Sequence, residues 1–159
     1  MKSCEPPKDM GEREIYQLVV KAYQAYRDKD IETLKELYPN TADQVVFLEG
    51  PQMKLVGWDA FESFFRQFSN AYDDLVCTPA NDFRFVRPCE NAGFAFGTVV
   101  MVCKEKSSGF HVRWMDRTTI CFAKQDGRWK MIHHHDSVPN SLVFIMEGPE
   151  DNGNGGGYW

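Results

Sequence analysis

A chain of 159 residues with 43% hydrophobic and 14% aromatic content fits one domain, large enough to bury roughly two thirds of its unfolded surface. Its net charge of −5 gives no electrostatic reason to expect nucleic acid or an anionic membrane as partner, and no stretch approaches the ~20 apolar residues of a membrane span. Five cysteines, at 4, 77, 89, 103 and 121, follow no paired spacing, and the polar start MKSCEPPKDM has no apolar core, so reduced thiols and a cytoplasmic location are expected.

In chain order, residues 1–11 carry Pro6-Pro7 and many charges and are expected as a mobile arm. A helix is predicted from about Glu12 to Lys29, because Ile15, Leu18, Val19, Ala22, Tyr23 and Tyr26 recur at three- and four-residue steps. A break at Asp30 starts a second helix, Ile31 to Tyr38, which Pro39 ends. Gln44 to Glu49 reads as a short strand, turned by Gly50-Pro51 towards Met53 to Val56. Gly57 then opens a helix from Trp58 to Tyr72, with Phe61, Phe64, Phe65 and Phe68 crowding one side as core. From Leu75 the pattern is almost all β: 75–87, 92–104, 110–124 and 128–138, with a polar loop at 104–109. Residues 142–146 can dock as one more short element, closing a domain of 12–146. The low-complexity tail 147–159 is expected to be disordered, and its glycines neither follow a strand nor open a helix, so they form no phosphate loop. Helices first and long antiparallel strands after them indicate an α+β domain.

The last hairpin carries the chemistry. Asp126-Gly127 is a strong turn signal between two runs of β-branched and aromatic residues. Strict alternation sends His133 and His135 to one face with Trp129 and Met131, and His134 and Asp136 to the other. Two registers are open. A two-residue turn sets Arg117 opposite Asp136, whereas a turn with Gly127 in a bulge puts Arg117 and Thr119 beside His133 and His135. The bulged form is favoured, because it gives the histidines a polar neighbour and lets Arg117 stabilise an anion. Imidazoles titrate near neutral pH, so His133 and His135, with Arg117, are the candidate catalytic set. Thr119, Trp129, Tyr23, Trp58 and Thr98 are candidate ligand-binding residues. No HxxxH or CxxC spacing supplies a third ligand, so neither a metal nor a cofactor is expected. Asp30 and Asp59 read as helix caps, and Asp82 as a loop carboxylate. Cys103 and Cys121 lack a cationic activator unless Arg117 is adjacent.

The stretches YQAYRDKDIETLKELY, LVGWDAFESFF and DGRWKMIHHHDSVP, in that order, resemble the nuclear transport factor 2-like superfamily. Within it the chain looks like the SnoaL-like branch and its relative, the association domain of calcium/calmodulin-dependent protein kinase II. The resemblance covers about residues 12 to 142. It implies a cone, in which a curved antiparallel sheet wraps around the N-terminal helices (a cystatin-like roll), and homo-oligomers, either dimers or larger rings. The kinase association domain places arginines deep in its cavity, where this chain has Thr98 and Ile120. The triple histidine also resembles the iota-class carbonic anhydrases, in which two serines follow the histidines where this chain has Asp136-Ser137. Because this fold hosts many functions, two readings stand. One is a metal-free enzyme doing proton-transfer chemistry on a small molecule such as a carboxylate; the other is an association module without catalysis.

Overall fold

The computed structural model describes residues 3–39, 46–49, 53–137 and 145–147. The first helix, α1 (Met10–Asp28), starts where the Asp9 side chain accepts the Glu12 N–H at 2.9 Å, and ends where Lys29 turns left-handed. Ser3 bridges Ala80 and the Cys4 N–H donates to the Pro79 carbonyl, so part of the expected arm lies against the body. Asp30 caps α2 (Ile31–Leu37), accepting the Thr33 N–H at 3.0 Å and its hydroxyl at 2.7 Å. Asp30→Ala is expected to destabilise the protein by about 1 kcal/mol in urea unfolding, the usual worth of such a cap; no change would mean that packing alone sets the helix start. Asp59 is not a cap, because Gly57 holds that position and Asp59 lies in the first turn.

Two short antiparallel strands, β1 (Val46–Glu49) and β2 (Met53–Val56), precede α3 (Trp58–Ala71). Gln44 and Val45, expected to start that first strand, fall outside the described residues, as does all but Glu147 of the 147–159 tail. After α3 come β3 (Tyr72–Pro79), β4 (Arg84–Cys89), β5 (Ala92–Glu105), β6 (His111–Gln125), β7 (Arg128–Ser137) and the short β8 (Ile145–Glu147), which pairs β6. The sheet order is β2-β1-β7-β6-β5-β3, antiparallel except for β1 against β7.

The single strand expected over 75–87 is two strands, which share one edge of β5. β4 pairs Ala92 to Phe96, and β3 pairs Val99 to Glu105. Gly97 sits at the junction, where the intervening turn comes so near that a Cβ would lie 2.5 Å from Phe83 Cα. Asp82 closes that turn by accepting the N–H and hydroxyl of Thr98. The sheet therefore bends at Gly97 and wraps around α1. Ile15, Val19 and Ala22 of α1 meet Phe61 and Phe65 of α3 and the inner residues Ile120, Phe122 and Met131 in one buried cluster. Burying a side chain such as Phe61 fully contributes roughly 1.5–3 kcal/mol. The fold is thus an α+β cone, with an unclosed, strongly curved sheet around the N-terminal helices. Among the described residues no helix is long and apolar enough to cross a membrane.

Candidate functional site

The hairpin of β6 and β7 decides which side chains enter the cone. Gln125 pairs Arg128 across a two-residue turn, with Asp126 and Gly127 both at positive φ (51° and 75°), as a type I′ turn requires. The bulge expected at Gly127 is absent there and lies further along. Met131 pairs Phe122 and His133 pairs Cys121, which leaves Ile132 as the extra residue. One extra residue reverses every later face. The inner face of β7 therefore runs Met131, His134, Asp136, and the outer face carries His133, His135 and Ser137.

This corrects the inward placement expected for His133 and His135. His134 is only 3% exposed and Asp136 8%. The rings of His133 and His135 lie 6.5 Å apart on the outer face, where burial and the two neighbouring histidines lower the His133 pKa. Arg117 and Thr119 do share a face with them, opposite Ser137 and His135, but it is the outer one. Thr98 is bound to Asp82 on that same side of the sheet. Trp129 donates to Glu14 at 2.7 Å beneath Arg87 and Lys124, and Trp58 donates to Glu62 within the core; neither borders the inner cavity. Of the eight candidates only Tyr23 does.

The cavity measures about 40 Å³, room for roughly three water-sized groups. Phe64, Phe65 and Phe68 of α3, with Leu75, Val99 and Met101, form its apolar walls. Its polar end is Tyr23, Thr118, His134 and Asp136. The Thr118 hydroxyl donates to Asp136 Oδ1 at 2.5 Å, and His134 Nε2 lies 3.3 Å from Oδ2. On the other side of the ring Nδ1 is 3.2 Å from Tyr38 Oη, which is 3.0 Å from Tyr26 Oη. Four side chains thus stand in series, from Tyr26 through Tyr38 and His134 to Asp136.

Burial pushes the Asp136 carboxyl up, but the charge of His134 and hydrogen bonds from His134 and Thr118 outweigh it and hold Asp136 below its ordinary value. Asp136 is therefore ionised at neutral pH. Burial pushes the Tyr38 and Tyr23 phenols up, so both remain protonated. Next to Thr118 on the inner face of β6 stands Asp116, 2% exposed, accepting the Trp114 indole N–H at 2.8 Å. Burial and then Asp136 push its carboxyl up to about 6. Among the described residues no three His, Cys, Asp or Glu side chains gather as a metal site would require.

Tyr38, Thr118, Asp116, His134 and Asp136 were not among the expected site residues. The signal that could have found them is Met131-Ile132, two adjacent apolar residues that break the alternation of the strand.

A family model described as a SnoaL-like domain matches residues 15–141. No curated protein matches the sequence. Among solved structures, one described as a calcium/calmodulin-dependent protein kinase II association domain from Xanthomonas campestris is 19% identical, with a TM-score of 0.77 over 89% of this chain and 97% of that one. A ketosteroid isomerase-like protein from Erwinia carotovora atroseptica is 14% identical, with a TM-score of 0.68 over 84% and 99% of the chains. A type 2 hexachlorocyclohexane dehydrochlorinase is 12% identical, with a TM-score of 0.71 over 86% and 88%. At these identities the likeness is one of fold.

Proposed function

The chain belongs to the SnoaL-like domain family, and on that footing we propose that its cavity binds a small molecule and that His134, backed by Asp136, moves a proton to or from it. The observation that carries this reading is a buried histidine beside a buried aspartate, both facing one largely apolar cavity. With Nε2–H donating to Asp136, Nδ1 carries the lone pair, and a proton reaches it through the hydroxyl of Tyr38. A proton arriving there makes an imidazolium 3.3 Å from the Asp136 carboxylate, which stabilises it in a site of low dielectric. Thr118 fixes the other carboxylate oxygen, so the charge is held in place before the proton moves. Tyr38 can accept from the ring or donate to it, with Tyr26 completing the chain. The relatives named for isomerase and dehydrochlorinase chemistry support the choice of reaction class.

Acetone, with four heavy atoms, suits the size of the cavity. In D₂O the protein is expected to accelerate exchange of its methyl protons, read by proton NMR against buffer at the same pH. No acceleration at any pH between 5 and 9 would overturn the proton-transfer reading. Carbonic anhydrase chemistry fits less well, because Asp136 stands where that class has a serine and its negative charge opposes a bicarbonate product.

A second property is favoured by the outer face. Phe94 and Phe96 stack there at 6.0 Å, with Phe96 41% exposed, on the same side as His133, His135 and Arg117. We propose that this face pairs with a second copy of the chain. Light scattering at micromolar concentration is expected to give at least twice the 18.4 kDa chain mass, and Phe96→Glu to reduce it to one; a wild-type monomer would refute this. The five free cysteines support a reducing, cytoplasmic setting.

A further inference from the structure

Taking the cavity as the functional site, we infer that it selects a small organic cation, a primary or methylated ammonium, in preference to an anion. The walls supply the first argument. Tyr23, Tyr26, Phe64, Phe65 and Phe68 all border the space, and the negative faces of aromatic rings attract a cation that comes within ~6 Å of their centres. Tyr26 stands edge-on to Phe65 at 5.6 Å, and Phe64 is tilted against Phe68 at 6.1 Å, so the lining rings are not coplanar.

Charge supplies the second argument. Asp136 lines the cavity and Asp116 is buried beside Thr118, whereas no lysine or arginine is among the described lining residues. Asp136 is held by His134 and Thr118 and Asp116 by the Trp114 N–H, and an entering ammonium adds a positive charge to balance the two carboxylates. An anion would meet the carboxylate of Asp136, with that of Asp116 beyond the lining. The expectation of a carboxylate ligand depended on Arg117, which is exposed on the outer face.

Tyr23 supplies the third. Its Oη is fully enclosed and borders the cavity, with Thr118 as a polar neighbour. A phenolic oxygen in that position can accept an ammonium N–H.

Size limits the ligand to about two to four heavy atoms, which admits methylammonium, dimethylammonium and trimethylammonium. The titratable groups that face Asp116 are Cys77 on β3 and His134 and Asp136 on β7, with Tyr23 and Tyr26 on α1 beyond them. Of these only His134 can become a cation. Binding should therefore tighten as pH rises through about 6, where Asp116 loses its proton.

The test is titration of the full chain, observed by amide NMR, with dimethylammonium, acetate and acetone at pH 5 and pH 7.5. Dimethylammonium is expected to shift the amides of Cys77, Val99 and Met101 with a roughly millimolar Kd, and to bind more tightly at pH 7.5. Asp116→Asn should weaken it about tenfold at pH 7.5 and remove the pH dependence. Tyr23→Phe, which keeps the ring, should weaken it several-fold. Acetate binding as well as dimethylammonium, or ammonium binding indifferent to Asp116 and pH, would overturn the inference. Acetone bound without dimethylammonium would overturn it while leaving the site intact; none of the three bound would remove both.

Discussion

His134→Ala abolishes the protein-dependent exchange of acetone protons, a loss of at least about 100-fold, whereas His133→Ala and His135→Ala exchange at the wild-type rate. That is the expected result of placing three consecutive histidines on a strand with a bulge at Ile132. A positioned general base typically contributes 10²–10⁴-fold, and only the middle ring faces the cavity. Removing a buried imidazole also takes one partner from each of Tyr38 and Asp136, so His134→Gln, which keeps polar atoms in the space, serves as the second variant. It should retain a wild-type circular dichroism spectrum and still lose exchange. Tyr38→Phe should also lose exchange, because it removes the hydroxyl through which Nδ1 takes up its proton. Equal losses in His133→Ala and His134→Ala would mean that the outer face, not the cone, carries the chemistry.

The same bulge explains where the sequence could be read and where it could not. Helical periodicity placed α1 and α2 to within two residues, because Ile15, Val19 and Ala22 are selected by one buried face and Asp30 by one cap. The hairpin turn was legible for a similar reason, since Asp126 and Gly127 must both take positive φ. Neither feature depends on distant residues. Face assignment along β7 does, because each position inherits its side from every residue between it and the turn. The expectation considered an extra residue at Gly127 and did not consider one at Ile132, five positions on, where apolar side chains fit either face. The split of the strand expected over 75–87 has a comparable cause. Gly97 lies on a different strand, and its missing Cβ is what admits the turn at Phe83. Tyr38 of the proton chain was illegible in another way. Tyr38 follows a helix of seven residues and reads as its last apolar position, and only tertiary packing brings its hydroxyl to His134, 96 residues away.

Asp116→Asn is expected to stabilise the protein at pH 7.5 and to leave its stability unchanged near pH 4. The carboxyl of Asp116 rises from its ordinary value of 3.8 to about 6 in the folded chain, chiefly because burial disfavours the charged form. Below 3.8 both folded and unfolded chains hold the proton, so the group imposes no penalty. Between 3.8 and about 6 the unfolded chain releases it first, and stability falls as pH rises. Above about 6 the penalty is complete. At 1.36 kcal/mol per pKa unit it amounts to about 3 kcal/mol, or about 1–2 kcal/mol once solvent screening is allowed for. Asparagine keeps an oxygen for the Trp114 N–H and carries no charge, so it removes the penalty and little else. Asp136 has the opposite sign: its pKa is held low, so its contribution is present above the unfolded value and is lost as pH falls through the folded one. Asp136→Asn should therefore destabilise at pH 7.5. Urea unfolding of the three proteins at pH 4, 5.5 and 7.5 separates these effects. A gain for Asp116→Asn that is equal at all three pH values would show that its charge is not the cause, and a loss at pH 7.5 would show that the carboxylate is already compensated. A group that destabilises the fold when ionised, beside one that stabilises it, leaves the aromatic cavity short of positive charge at neutral pH. An ammonium ligand would restore that charge, and the stability that Asp116 withholds would return as binding affinity.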